Sequence, residues 1–102
     1  MIQGVPIPCS IDLTELGVFS DIIFELYQTS TKNVVGVARY LNPSENEYPI
    51  IKNGNIYSFT YPSSLTELLL GDYGIEMTYF DADGEIIDKA QTSGITIEQE
   101  TK

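Results

Sequence analysis

Carboxylates are the only abundant groups in this chain able to donate or accept protons or bind a metal ion. Its 102 residues hold 15 Asp and Glu against five Lys and Arg, with one cysteine and no histidine. The densest acidic cluster is Asp81, Asp83 and Glu85, oxygen ligands of the kind Ca²⁺ prefers. A calcium-loop alignment that centres on Asp83-Gly84 puts Tyr79 at the first ligand position. It also puts Ala90 where a bidentate glutamate is needed, so the pattern fails and a plain Asp-Gly turn is the simpler reading. Cation binding there is left open. Without histidine there is no Ser-His-Asp or Cys-His pair and no imidazole base or ligand. A glycosidase-like acid/base pair would need two carboxylates facing each other across a cleft, which no spacing in the sequence dictates. The eight glycines are scattered through turns, so no phosphate-cradling loop or dinucleotide fingerprint is present. The expectation is a chain with no catalytic residue, no cofactor and no metal.

Two further features carry possible chemistry. Cys9 is alone, so no intrachain disulfide can form and the fold does not depend on an oxidising compartment. It shares a parity with Val5, Ile7, Ile11 and Leu13, which reads as a small buried hydrophobe, with a reactive thiol as the alternative. Tyr57, Phe59 and Tyr61 lie in register on one strand face and form either a ligand-stacking platform or part of the core.

A net charge of -10, spread over both halves of the chain, sets the partner classes. Nucleic acid is not expected, because affinity for it comes from Lys and Arg displacing condensed counterions. The apolar runs are only a few residues long, with no basic segment leading into an apolar one. Neither a membrane span nor a secretory leader is therefore expected.

The elements that position these residues read as strands. Residues 5–13 alternate with period two, and Pro6 and Pro8 remove two N–H groups from the same side, which predicts an edge strand. Asp21 to Tyr27 is a second strand with Ile22, Phe24 and Leu26 inward. Val34 to Leu41 is a third, whose inward face is ambiguous because Arg39 shares a side with Val35 and Val37. Tyr48 to Ile51 reads as a brief strand. Asn53-Gly54 then predicts a type I′ hairpin turn into Ile56–Tyr61. Ser64-Leu65-Thr66-Glu67 has capping-box spacing and predicts one or two helical turns over 64–70, ended by Gly71. Asp72 to Phe80 alternates with Tyr73, Ile75, Met77 and Tyr79 on one side. Asp81 to Gly84 turns into a strand over 85–90, and Ile95 and Ile97 sit in a last short one. Seven to eight short strands with regular turns predict an all-β, immunoglobulin-like antiparallel β-sandwich of one domain over residues 1–102, with a small closed barrel as the rival.

Leu70-Gly71-Asp72-Tyr73 resembles the tyrosine corner of immunoglobulin-like sandwiches, where the tyrosine hydroxyl bonds back to the chain entering its strand. The likeness extends over Ser64 to Ile97. With Gln3-Gly4, Asp12-Leu13-Thr14 and Asn53-Gly54 added, the chain resembles the immunoglobulin-like module at the N-terminus of phage baseplate upper proteins and related virion domains. In those proteins further domains follow, whereas this sequence ends five residues after Ile97. The resemblance therefore implies a stand-alone virion structural protein, an auxiliary or decoration protein between capsid subunits, with a tail, neck or baseplate component as the alternative. It implies a location in the virion, other virion proteins as partners and many copies by symmetry. The structural residues it singles out are Gly71 and Tyr73, beside Asn53 and Gly54 of the hairpin. The ends, 1–4 and 98–102, are expected to be frayed or to reach a partner. Two other function classes stand beside this one. The seven tyrosines suggest a carbohydrate- or surface-binding module, and a cytosolic adaptor of unknown role is the third reading.

Overall fold

Alternation in the sequence becomes two facing sheets in the computed structural model, which describes residues 2–14 and 19–99. In chain order the elements are β1 (Ile7–Asp12), β2 (Asp21–Gln28), β3 (Val34–Arg39), β4 (Tyr48–Pro49), β5 (Ile51–Asn53), β6 (Ile56–Tyr61), a single helical turn α1 (Ser63–Thr66), β7 (Gly71–Phe80) and β8 (Ile86–Ile97). The small sheet has the order β1-β6-β5 and the large one β4-β3-β2-β7-β8. The structure is an all-β sandwich; its strands lie in two separate sheets, not in one closed barrel. Apart from the two-residue parallel pairing of β4 with β3, neighbours in both sheets run antiparallel. β1-β6-β5 and β3-β2-β7-β8 follow the B-E-D and C′-C-F-G orders of the immunoglobulin sandwich.

The core lies between the sheets. Ile22, Phe24 and Leu26 of β2 meet Tyr57, Phe59 and Tyr61 of β6, and Tyr73, Ile75 and Tyr79 of β7 close the same layer. The Phe24 and Phe59 rings meet edge-to-face at 4.8 Å, and Phe59 meets Tyr61 at 5.0 Å, geometries favoured by the ring quadrupoles. The inward face of β3 is its smallest residues, Gly36 and Ala38. A Cβ built on Gly36 would lie 2.9 Å from a methyl of Leu65 and 3.1 Å from the Tyr61 ring. Bulk supplied by β6 and α1 therefore fills the space; Val35 also packs against the core, while Arg39 turns outward to Asp21 and Glu47.

Several expectations need correction. The alternation that begins at Val5 does not form strand there: Gly4 takes φ +84°, Val5 N–H donates to Ile2 O, and β1 starts at Ile7. The predicted strand over 48–51 is divided, with Tyr48–Pro49 in the large sheet, Ile51 in the small one and buried Ile50 marking the crossing. The helix over 64–70 shrinks to Ser63–Thr66, capped by Pro62 without any side-chain bond. Ser64 lies inside the turn, so its hydroxyl has no capping position to occupy. Gly71 opens β7 at φ +107° and does not end a helix. The strands over 85–90 and at 95–97 are one, β8, with its register shifted against β7 between Tyr73 and Ile75. Gly94, at φ +94°, lies in that bulge, and a glycine accommodates the kink without ending the strand.

Candidate functional site

Tyr73 stands at the head of β7, where the chain has just crossed from the small sheet to the large one. Its ring is buried and its hydroxyl donates to Leu70 O at 3.0 Å, three residues upstream. The bond ties the crossing to the strand it enters, which is the work of a tyrosine corner. A second tie holds the same connection: the buried Thr66 hydroxyl donates to Val5 O at 3.0 Å, a contact that no local motif in the sequence announces.

The hairpin at Asn53 and Gly54 joins β5 to β6, but its turn is one residue later than expected. Asn53 pairs with Ile56, leaving Gly54-Asn55 as the two-residue loop. Only Gly54 has positive φ, at +64°. This is the sign pattern of a type II′ turn with glycine first, so Asn53 ends the strand and needs no left-handed backbone.

Tyr57, Phe59 and Tyr61 do not form a surface platform; all three are core residues. The Tyr61 hydroxyl donates to Phe24 O at 3.2 Å, and burial pushes its phenol well above the usual tyrosine range. Cys9 is half-buried and unpaired, and burial raises its thiol, the opposite of what a reactive thiolate requires. Asp81 places one carboxylate oxygen 2.9 Å from Asp83 N and 3.0 Å from Glu85 N, so it serves to close its own turn. Among the described residues no group of three potential ligands could hold a metal ion, and no helix is long and apolar enough to cross a membrane.

The surfaces divide by charge. On the outer face of the small sheet, Pro8, Ser10, Ile51, Asn53, Ile56, Ser58 and Thr60 carry no charge; Asp12, directly opposite Ile56, is the charged residue on that face. The outer face of the large sheet is charged. Glu25 and Glu76 lie directly opposite each other on β2 and β7. The like charges are tolerated because Lys89 Nζ at 3.2 Å and Gln91 Nε2 at 2.6 Å both donate to the Glu76 carboxylate and hold it below the usual range. Arg39 stands between Asp21 and Glu47, 3.8 Å from each. The chain's described ends meet: Ile2 forms a parallel bridge with Glu98, and Gln3 N–H donates to Glu98 O at 2.7 Å. Residues 1 and 100–102 lie outside the described residues.

No family model, curated protein or solved structure matches this chain.

Proposed function

We propose that this chain is a bacteriophage virion structural protein, an auxiliary module that adds contacts between neighbouring subunits of the shell. The observation that carries the reading is the Leu70–Tyr73 corner. The stretch that resembles the virion modules in sequence forms the crossing of a sandwich in which Tyr73 anchors β7. The carboxylate-rich, histidine-free composition and the closed Asp81 turn support a building block without chemistry of its own. The acidic surface suits an exterior position, because it would be repelled from packaged nucleic acid.

The outer face of the small sheet, uncharged except for Asp12 at the end of β1, is the surface we assign to the shell. Covering Pro8, Ile51 and Ile56 removes apolar area from water, and the Ser and Thr hydroxyls are cheaper to desolvate than the carboxylates elsewhere. Repetition over a symmetric lattice multiplies modest contacts into stable attachment. Burial of Tyr57 and Tyr61 counts against the carbohydrate-binding reading, since stacking on sugars needs exposed rings.

The test is co-sedimentation of purified protein with assembled particles that lack it. Saturation at a fixed ratio to the shell protein, with attachment lost in Ile51→Glu and retained in Glu45→Gln, is the expected result. Absence of attachment, or equal attachment of Ile51→Glu, would remove the reading.

A further inference from the structure

Each sheet of the sandwich has two free edges, and the four edges are not equally protected. β1 contains Pro8 and follows Pro6. The Leu13 N–H donates to Asn55 O on the β6 side, so odd-numbered residues of that segment turn their main-chain groups inward. The prolines therefore delete donors from the free side. β5 is only three residues long, and β4 has two residues, one of them Pro49. These are the usual means of blunting an edge. β8 is different: it has no proline, and between its two register shifts the stretch Asp88–Thr92 runs regularly, with nothing among the described residues paired along its outer side until Gln3 reaches Glu98.

The direction of its free groups follows from the ladder. Tyr40 N–H donates to Ile22 O, so even residues of β2 turn toward β3 and odd ones toward β7. Ile23 and Glu25 thus bond Thr78 and Glu76, whose partners across β7 are Lys89 and Gln91. Main-chain bonding alternates from one side of an antiparallel strand to the other, so Lys89 and Gln91 present their N–H and C=O groups outward. Consistent with this, the Lys89 N–H is held at 2.8 Å by the Asp88 carboxylate instead of by β7.

We propose that the β8 edge is a pairing surface for a second copy of this chain, joined antiparallel about a two-fold axis through Ala90. The strand is locally neutral, since Asp88 and Lys89 cancel, in a chain of charge -10. Among registers that bring odd residues opposite odd ones, centring on Asp88 or on Lys89 sets like charges against each other. Centring on Ala90 sets Asp88 against Thr92 of the partner and Lys89 against Gln91, with no like charges directly opposite. The two Lys89–Gln91 pairs then exchange four main-chain bonds, and each Asp88 carboxylate returns to water. Growth stops at the dimer, because among the described residues the edges left on the joined large sheet are the two β4 strands, two residues long and proline-blunted. Repulsion between the acidic bodies opposes association until salt screens it, so the dimer strengthens as ionic strength rises. The inference stands independently of the virion reading.

The test places a cysteine at the axis in a Cys9→Ser background. Ala90 and its copy form a non-hydrogen-bonded pair, with Cα atoms about 4.5 Å apart, within disulfide reach. Thr92 and its copy are offset by four residues, about 13 Å along the strands. Mild oxidation should crosslink Ala90→Cys and leave Thr92→Cys monomeric; crosslinking of neither, or of both alike, overturns the register and the proposal. In the unmodified protein, amide exchange at Lys89 and Gln91 should slow as concentration rises from about 10 µM to about 1 mM, and slow further with added salt. Concentration-independent exchange at both, or protection only in the presence of other virion proteins, rejects self-pairing.

Discussion

Replacing Tyr73 with phenylalanine keeps the buried ring and removes only the hydroxyl that donates to Leu70 O at 3.0 Å. No cavity forms, so the loss is that of one hydrogen bond, about 0.5–1.5 kcal/mol net. Leu70 is about half exposed, so water can reach its orphaned carbonyl, and the expected cost is about 1 kcal/mol. For a domain of this size that lowers Tm by about 4–8 °C. Tyr79→Phe is the matched control. Its hydroxyl also sits on a largely buried ring of β7, but it meets only the Met77 sulfur at 3.8 Å, a weak acceptor. Urea unfolding followed by tyrosine fluorescence should show a lower midpoint with unchanged slope for Tyr73→Phe and almost no change for Tyr79→Phe. Equal midpoints for the two variants would refute the claim that the corner bond secures the crossing into β7.

Gly74→Ala should destabilise by about 3 kcal/mol or more, because its Cβ would lie 2.6 Å from the Tyr27 hydroxyl and 2.7 Å from the Thr92 carbonyl, a main-chain atom that cannot swing away. Gly36→Ala meets the flexible tip of Leu65 and should cost about 1 kcal/mol, measurable in the same urea titration. At the hairpin, Gly54→Ala forces a side chain into φ +64° and should cost about 1 kcal/mol, while Asn53→Ala should change stability by less than about 0.5 kcal/mol; the reverse order would restore the type I′ turn. Alkali should weaken the fold. The Tyr61 phenol is raised in the folded state, so its contribution is complete below the unfolded tyrosine value near 10 and declines above it, where the unfolded chain ionises first. Thermal unfolding between about pH 8 and pH 11 should show this decline, and Tyr61→Phe should make it shallower.

Much of the architecture is legible in the sequence because period-two patterning survives wherever one strand face is buried. Ile22, Phe24 and Leu26, the Tyr57–Tyr61 set and the Tyr73–Tyr79 set all face the core as their spacing implies. The illegible parts are those decided by tertiary contact. β3 hides its inward face because Gly36 and Ala38 are chosen for what lies above them. Ser64 looks like a cap, but the turn already starts at Ser63, with Pro62 as its N-cap two residues before Ser64. The bulge at Gly94 reads as a break because a glycine between two short apolar patterns looks the same whether the strand ends or kinks. The candidate surfaces are the least legible of all: the face of the small sheet whose one described charge is Asp12 emerges only when β1, β5 and β6 lie side by side, and the unpaired Asp88–Thr92 stretch of β8 only when the other three edges are seen to be blunted.

Quantitative protein composition of purified particles made from the genome that encodes this chain tests the virion assignment most directly. The chain should be present at a constant ratio to the major shell protein from one preparation to the next, and should resist high-salt washing. Particles that contain the shell protein but none of this chain, while the infected cell holds it in abundance, would contradict the account.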